Sequence, residues 1–440
     1  MARMHRASLV LLFCAVASNR SSAQDTPHAF VGARLLTISG APIDDGVLLI
    51  HHGKIEAVGA RASVALPANA VVVDVKGKVL MPGLVDTHSH VGGGWGADES
   101  APIQAGVRML DAVDCRDAGF QRAQAGGITT INVMSGSGHL MSGQTLYVKN
   151  RDVRSIEELC YRFPDGSPMG GMKMANGTNS HRDPPFPATR GKSAALVRES
   201  FVAAQEYQRK LAAAGTDESK KPARDLALEG LLEVLSGRRI VHHHTHRHDD
   251  VLTVLRLSKE FGFRVVLHHV SEAWKVADEI VAAKVPCSLI VIDSPGGKLE
   301  ASDFDARSAA ELEKRGAADL VAFHTDDWIT DSRLFLRSAA LAVRAGVSRE
   351  TALAGLTLNA ARMLDLGDRV GSLERGKDAD FLVLSGDPLS VYTHVEATWA
   401  GGEKVFDRAN EQDRLWADGG WGAGLRRAGA LCCLGDGEDR

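Results

Sequence analysis

The chain has 440 residues, a formal net charge of −4 at pH 7 and 44% hydrophobic residues. This length fits one barrel with an appended domain, and the slightly acidic balance argues against a nucleic-acid partner. The 17 histidines are an unusual number, and many of them follow apolar stretches that read as strands.

Residues 1–23 have the pattern of a signal peptide. Arg3, His5 and Arg6 precede the apolar run 7–17, and small residues at 21–23 suit a cleavage site. The apolar run is too short to span a bilayer. We therefore expect an exported protein, periplasmic or secreted, whose mature chain starts near Gln24 and keeps no stable membrane anchor. The five cysteines that remain are an odd number, so at least one thiol is unpaired.

Between residues 80 and 345, strand-like segments alternate with helical ones. The predicted helices are 192–211, 225–235, 249–261, 271–283 and 332–345. The predicted strands are 80–90, 127–133, 145–148, 172–175, 240–246, 264–269, 287–292 and 320–324. This alternation predicts an α/β fold with a parallel sheet, and eight units predict a closed (β/α)8 barrel. The active site of such a barrel lies at the C-terminal ends of its strands.

Two histidines end the first of these strands, in the run LMPGLVDTHSH. The i, i+2 spacing of His88 and His90 places both side chains on one face of a strand. Two imidazoles on one side of a rigid strand form half of a site for a divalent metal. The alternative is a pair of surface or core histidines, but further candidate ligands at later strand ends favour the metal.

The run LMPGLVDTHSH resembles the first-strand signature of the metal-dependent amidohydrolase superfamily, and later segments resemble its imidazolonepropionase-related branch. The resemblance covers residues 30–408. It implies a TIM-like barrel over residues 81–364 and a small β-sandwich built from residues 24–80 and 365–408. The glycine-rich tail 409–440 is expected to be partly disordered.

The resemblance also implies a set of metal ligands. The motif HTHRHDDV matches the fifth strand of the family at His244, the sixth strand matches at His269, and Asp326 follows the eighth strand. With His88 and His90 these residues are expected to bind zinc or a similar divalent ion. His246 lies above the metal, where it would contact substrate. We interpret His242 as a hydrogen-bonded core residue, and we expect His243 and His268 to point away from the site.

Lys173 decides between one metal and two. It lies among apolar residues in the fourth strand, GGMKMANG, and a buried lysine is rare without a purpose. In binuclear relatives a lysine at this position carries a carbamate that bridges both ions. The alternative is a lysine paired with an acid or with a substrate carboxylate. Some relatives have Glu where this chain has Thr178, so the number of metals stays open.

Two loops are expected to contact the substrate. The Gly/Ser-rich segment 135–143 carries His139, and the long proline-containing segment 176–190 carries Arg182 and Arg190. His139 could reach a substrate carbonyl, and the arginines could bind a carboxylate. The alternative for all three is a solvated surface residue.

This set of residues suits hydrolysis of C–N bonds in a small-molecule substrate. The metal lowers the pKa of water, and Asp326 takes the proton and passes it to the leaving amine. A dipeptide, an N-acyl amino acid or a cyclic amide would suit such a site. A lactone or phosphoester hydrolase with the same metal site is one alternative, and a non-catalytic binding relative is another. The sequence leaves a homo-oligomer open.

Overall fold

The computed structural model describes residues 25–93, 98, 100–291, 299–327 and 329–419. The predicted signal peptide and the end of the predicted tail lie outside these residues. Within the described ranges, no helix is both long enough and apolar enough to cross a membrane.

The strands in the described residues are numbered here along the chain. They are β1 (His28–Leu35), β2 (Ile43–His51), β3 (Lys54–Ala60), β4 (Val71–Asp74), β5 (Val79–Pro82), β6 (Leu84–Ser89), β7 (Ile128–Val133), β8 (Met141–Gln144), β9 (Leu146–Lys149), β10 (Met172–Ala175), β11 (Val241–Thr245), β12 (Val265–His269), β13 (Cys287–Leu289), β14 (Val321–Phe323), β15 (Phe381–Leu384), β16 (Val395–Ala400) and β17 (Glu403–Asp407).

The helices are numbered in the same way. They are α1 (Ala118–Ala125), α2 (Arg190–Ala214), α3 (Leu226–Leu235), α4 (His248–Phe261), α5 (Ala277–Ala283), α6 (Ser308–Lys314), α7 (Phe335–Arg344), α8 (Arg349–Gly355), α9 (Leu358–Arg362) and α10 (Glu411–Asp418).

Strands β6 to β14 form the TIM-like barrel. One sheet has the order β14-β13-β12-β11-β10-β8, and a second has the order β6-β7-β9. Strands β10 to β14 pair in parallel with one another, and helices α4, α5 and α6 connect the last four. Because all five run in one direction, their C-terminal ends meet at one end of the barrel.

The third strand position differs from the prediction of a parallel barrel strand. Strand β8 pairs antiparallel with β10, and β9 pairs antiparallel with β7. The connection from β7 to β8 covers only residues 134–140. A parallel crossover needs a dozen or more residues, so this short connection returns the chain in the opposite direction.

The first and last barrel strands meet beside the predicted site. The backbone N–H of Asp326 donates to the carbonyl of His88 over 2.9 Å. One carboxylate oxygen of Asp86 accepts from the backbone N–H of Thr325 at 3.1 Å, and the other accepts from its hydroxyl. These bonds fix the end of β6 against the residues that follow β14.

Both ends of the chain build the smaller sheet beside the barrel. Its order is β17-β16-β15-β5-β1-β2-β3, and β4 also pairs with β1. Phe30, Phe381 and Trp399 form an aromatic cluster in its core, with ring centroids 4.9–5.6 Å apart. Strands from residues 28–82 and 381–407 therefore share one hydrophobic core.

The first part of the tail is folded, and its expected partial disorder stays a prediction for the remainder. Helix α10 forms there, and the Asn410 side chain caps it by accepting from the backbone N–H groups of Gln412 and Asp413. Trp416 packs against the barrel core. An N-cap and one buried aromatic contact order this segment, and residues 420–440 lie outside the described part of the chain.

A buried ion-pair network joins the barrel to the smaller sheet. Lys149 at the end of β9 donates to Asp378 at 2.7 Å and to Asp380 at 2.8 Å, and all three residues are buried. Burial disfavours the charged form of Lys149, but the two carboxylates more than offset this and raise its pKa. The exposed Lys54 also pairs with Asp378, at 2.6 Å.

We expect Lys149→Met to lower the free energy of unfolding by about 3–5 kcal/mol, because it leaves buried carboxylates without their central cation. Lys54→Met removes an exposed partner of the same acid and should cost about 0–1 kcal/mol. Urea unfolding of both variants tests this contrast. Equal losses in the two variants would show that the buried network does not hold the two parts together.

Candidate metal centre

His88, His90 and Asp326 converge at one end of the barrel. Every residue of β6 is buried, and His88 and His90 are 0% exposed. Asp326 Oδ1 lies 3.0 Å from His90 Nε2 and 3.2 Å from His88 Nε2. The strand that ends in the HxH pair and the last barrel strand thus bring three ligand-type atoms together.

The hydrogen bonding of His90 shows what this group of atoms needs. His90 Nδ1 lies 2.7 Å from the carbonyl of Met134. A carbonyl only accepts, so Nδ1 carries the proton, and in a neutral ring Nε2 directs a lone pair at Asp326. A lone pair and a carboxylate repel each other unless a proton or a cation lies between them. The arrangement therefore fits a bound cation.

A second histidine group lies next to the first. His244 on β11, His269 on β12 and His246 form a triad whose ligand nitrogens lie within 4.8 Å of one another. The Asn179 side-chain amide is 3.1 Å from His244 Nε2, and Ser271 Oγ is 2.8 Å from His246 Nδ1. These second contacts orient the imidazoles, as the neighbours of metal ligands usually do.

A third triad joins the other two, and sequence reasoning did not assign it a role. His324 lies within the same 4.8 Å limit of His88 and His269, and His324 Nε2 is 3.2 Å from His269 Nδ1. Because His324 stands two residues before Asp326, strand alternation already placed it on the same face. That spacing was the available signal.

The prediction that His268 points away from the site is wrong. Its ring lies 5.0 Å from that of His88 and 5.3 Å from that of His324. His269 has a φ of 69° and Val270 a φ of 40°, which are left-handed values. This backbone turn ends the alternation of the strand, so His268 and His269 both reach the cluster.

His242 is a hydrogen-bonded core residue, as the sequence suggested. The Tyr147 hydroxyl lies 2.7 Å from His242 Nε2, and His242 Nδ1 lies 3.0 Å from His268 Nε2. His243 contacts the backbone carbonyl of His244 at 2.9 Å.

Lys173 lies inside the barrel beside the first triad. It is 0% exposed on β10, next to His242 of β11 in the sheet register. Its Nζ is 3.1 Å from His88 Nε2. The amine of Lys173 therefore lies against His88, the residue that the first and third triads share.

Burial favours the neutral form of three histidines of the cluster, His88, His269 and His324. Burial, followed by the nearby charge of Lys173, holds the pKa of His88 well below its usual value. Burial also lowers the pKa of His269 strongly, and that of His324 falls to about 3. Burial alone would raise the pKa of Asp326, but His90 holds it below its ordinary value. Neutral imidazoles and an ionised carboxylate are the forms that bind a metal.

Asp86 supports the centre from below, and sequence reasoning did not single it out. Besides Thr325, it accepts from the backbone N–H of His88 at 3.3 Å. Burial raises the pKa of its carboxyl to about 7 against these hydrogen bonds. It links the backbones that carry His88 and Asp326.

The two predicted substrate loops contact each other. His139 and the Arg182 guanidinium both lie against the Phe186 ring, at 5.2 Å and 4.5 Å from its centroid. Arg182 Nη2 also donates to the carbonyl of Gly138 at 2.7 Å. In this structure Arg182 thus braces one loop against the other.

The surroundings of Arg190 differ from the expected carboxylate receptor. Its Nε donates to both oxygens of Asp250 at 2.9–3.0 Å, and its Nη2 lies 3.5 Å from Glu300. Two buried acids already use the guanidinium charge. Arg190 therefore fixes the start of α2 against α4.

Three comparisons relate this chain to known proteins. A family model described as the amidohydrolase family matches residues 236–406. The amidohydrolase tasK of Hapsidospora irregularis is 26% identical over 82% of this chain, which spans only 40% of that longer protein. The imidazolonepropionase of Erwinia tasmaniensis is 25% identical over 88% of this chain and 98% of its own.

A crystal structure of an amidohydrolase from Thermotoga maritima MSB8 is 32% identical, with a TM-score of 0.79. The alignment covers 86% of this chain and 100% of that one. This chain belongs to the amidohydrolase superfamily. The imidazolonepropionase relatives place it in the branch related to them, and it is a hydrolase that acts on C–N bonds of a small-molecule substrate.

The donor set of this amidohydrolase fits a divalent metal. Imidazole and carboxylate ligands suit zinc and similar ions. Among the described residues, the buried His269 Nε2 has no hydrogen-bond partner, and a bound cation would use its lone pair. His88, His90 and Asp326 would hold one ion, and His244 and His269 lie where a second would bind.

We expect the double variant His88→Ala, His90→Ala to lose most of its bound metal, because it removes two of the three groups around the first position. Elemental analysis of purified protein measures the metal per chain. His243→Ala is the matched control, since His243 is also a buried histidine but faces away from the triads. Metal content that is unchanged in the double variant would contradict the assignment.

Proposed function

We propose that this amidohydrolase cleaves the amide bond of a dipeptide, an N-acyl amino acid or a cyclic amide. The observation that carries the proposal is the approach of Asp326 to the Nε2 atoms of His88 and His90, at 3.0–3.2 Å. This approach supports one position for a cation with a carboxylate beside it. Amide hydrolysis uses both groups.

The divalent ion, when bound, supplies a Lewis acid that acidifies water and polarises a carbonyl. Asp326 takes a proton from the attacking water and delivers it to the leaving nitrogen. His90, oriented by the Met134 carbonyl, keeps its lone pair directed at the centre. Asp86 holds the backbones of His88 and Asp326 at a fixed separation.

The loops at the barrel mouth supply the enclosure that such a reaction needs. His139 and Phe186 are 2% and 6% exposed, and Arg182 joins their two loops. Excluding water strengthens the electrostatic interactions of the site. We place substrate contacts at His139, His246 and Arg182, whereas Arg190 acts through the position of the loop.

The test is turnover on a library of dipeptides, N-acyl amino acids and cyclic amides, followed by mass spectrometry of the products. A lactone and a phosphotriester are assayed alongside. Cleavage of amides with release of an amine supports the proposal. Turnover of only the ester substrates, or of none of the compounds with metal bound, would overturn it.

We expect Asp326→Asn to lower turnover by more than about 100-fold, because an amide cannot carry the proton. The matched control is Asp327→Asn, since the adjacent Asp327 hydrogen-bonds Ser332 instead. Steady-state kinetics on the best library substrate compares the two variants. A loss within about tenfold for Asp326→Asn, roughly 1.4 kcal/mol in the barrier, would exclude it as the proton carrier.

We further propose that Lys173 carries a carbamate that bridges two metal ions. The carbamate forms when the amine nitrogen bonds the carbon of CO2 and releases one proton. The support is the burial of Lys173 and its 3.1 Å approach to His88, together with the third triad, which shares His88 with the first and His269 with the second.

Lys173→Ala should lose one of two metals preferentially, and a short added carboxylic acid should restore part of the activity by taking the place of the carbamate. Lys173→Arg should not respond to the acid, because the guanidinium stays charged and occupies the space. Elemental analysis and a carbamate resonance from 13C-labelled bicarbonate measure both points. A wild-type protein with one metal and no such resonance would leave a mononuclear enzyme.

We also propose that the protein is exported and that residues 1–23 are removed. The support is the basic start, the short apolar run and the small residues at 21–23. N-terminal sequencing of protein secreted by an expressing cell should begin near Gln24, and secreted material that begins at Met1 would contradict this.

A further inference from the structure

A chain of four buried side chains leads from β6 to the second metal position. Thr87 Oγ1 lies 2.6 Å from Ser288 Oγ, and Ser288 Oγ lies 2.9 Å from His324 Nδ1. His324 Nε2 lies 3.2 Å from His269 Nδ1. Each of these residues is at most 2% exposed, so water does not compete for their hydrogen bonds.

We propose that His324 is a positioning residue that holds His269 with its proton on Nδ1 and its Nε2 lone pair directed at the metal. The proposal rests on the metal role proposed for His269. It assigns a function to a histidine outside the ligand set expected from the sequence.

The order of protons along the chain follows from counting donors. If His269 Nδ1 carries its proton, it donates to His324 Nε2. A neutral His324 then has its proton on Nδ1 and donates to Ser288, whose hydroxyl donates to Thr87. Every link then has one donor and one acceptor.

The opposite order is the other one in which every link has one donor and one acceptor. It would place the His269 proton on Nε2, a buried atom that has no hydrogen-bond partner among the described residues. A buried N–H without an acceptor is costly, and a protonated Nε2 cannot bind a metal. The first order leaves a lone pair there instead, which a cation can use.

The arrangement differs from the support given to His90. That residue is oriented by a backbone carbonyl, the Met134 oxygen, which accepts in any state of the protein. His269 depends on a side chain that could accept or donate. His324 in turn contacts Ser288 and Thr87, which lie two and three links from His269, and those links can be broken one at a time.

The experiment compares His324→Leu, which removes the acceptor, with His324→Gln, whose amide oxygen can still accept from His269. Zinc binding is measured by elemental analysis after dialysis against buffers of fixed free zinc. We expect His324→Leu to weaken binding of the ion beside His269 by about 10–100-fold. His324→Gln should weaken it by less than half of the factor measured for His324→Leu. The control His243→Gln changes an equally buried histidine outside the chain and should have no effect.

A second readout uses the metal-free protein, so that it does not depend on activity. Ring 15N shifts of labelled histidines should show His269 protonated on Nδ1 in the wild type and in the Gln variant. Ser288→Ala is a smaller change that breaks only the next link, and it should alter the His324 ring signal. It also keeps the test valid if His324→Leu does not fold.

Three results would overturn the proposal. Equal, large losses of zinc in the Leu and Gln variants would make His324 a ligand, and losses within about threefold in both would give it no positioning role. A proton on Nε2 of His269 in the wild type would show that the hydrogen bonds from His269 to Thr87 run in the opposite direction. Normal zinc binding and the expected tautomer without turnover on any amide would reject the proposed function and leave this inference intact.

Discussion

The structure depends on the approach of the Asp326 carboxylate to two buried imidazoles. In the interior, an ionised acid is costly unless it is paired. Asp326 lies 3.0 Å from His90 Nε2, and the Met134 carbonyl fixes one ring proton of His90 on Nδ1. A cation, or a second ring proton, between Nε2 and the carboxylate resolves this arrangement. Burial lowers the pKa of other histidines around Asp326, so their neutral rings remain available as ligands.

The fold serves this arrangement by closing the barrel at one point. Asp86 joins β6 to the residues after β14, so His88 and Asp326 come from opposite ends of the barrel sequence and still meet. The bonds of Lys149, at the end of β9, to Asp378 and Asp380 fix the smaller sheet to the barrel. A rigid frame keeps the ligand atoms of each triad within 4.8 Å of one another, and a metal site needs such a preformed arrangement.

The positions of His88, His90, His244, His269 and Asp326 could be predicted because strand period and the strand-end rule for barrels are local patterns. The joint approach of His268 and His269 to the cluster could not, since it follows from left-handed backbone angles at His269 and Val270. The sequence does not reveal the ion pair of Arg190, because its partner Asp250 lies 60 residues away. The antiparallel third strand depended on the length of one loop, and that length was visible in the sequence.

Anomalous diffraction at the zinc edge, from crystals grown with zinc, tests most directly whether a cation binds beside Asp326. We expect a peak bonded to His90 Nε2 and Asp326, with His88 as a third protein ligand. A map with no peak there, and with His90 and Asp326 in direct hydrogen-bond contact at full zinc, would contradict it.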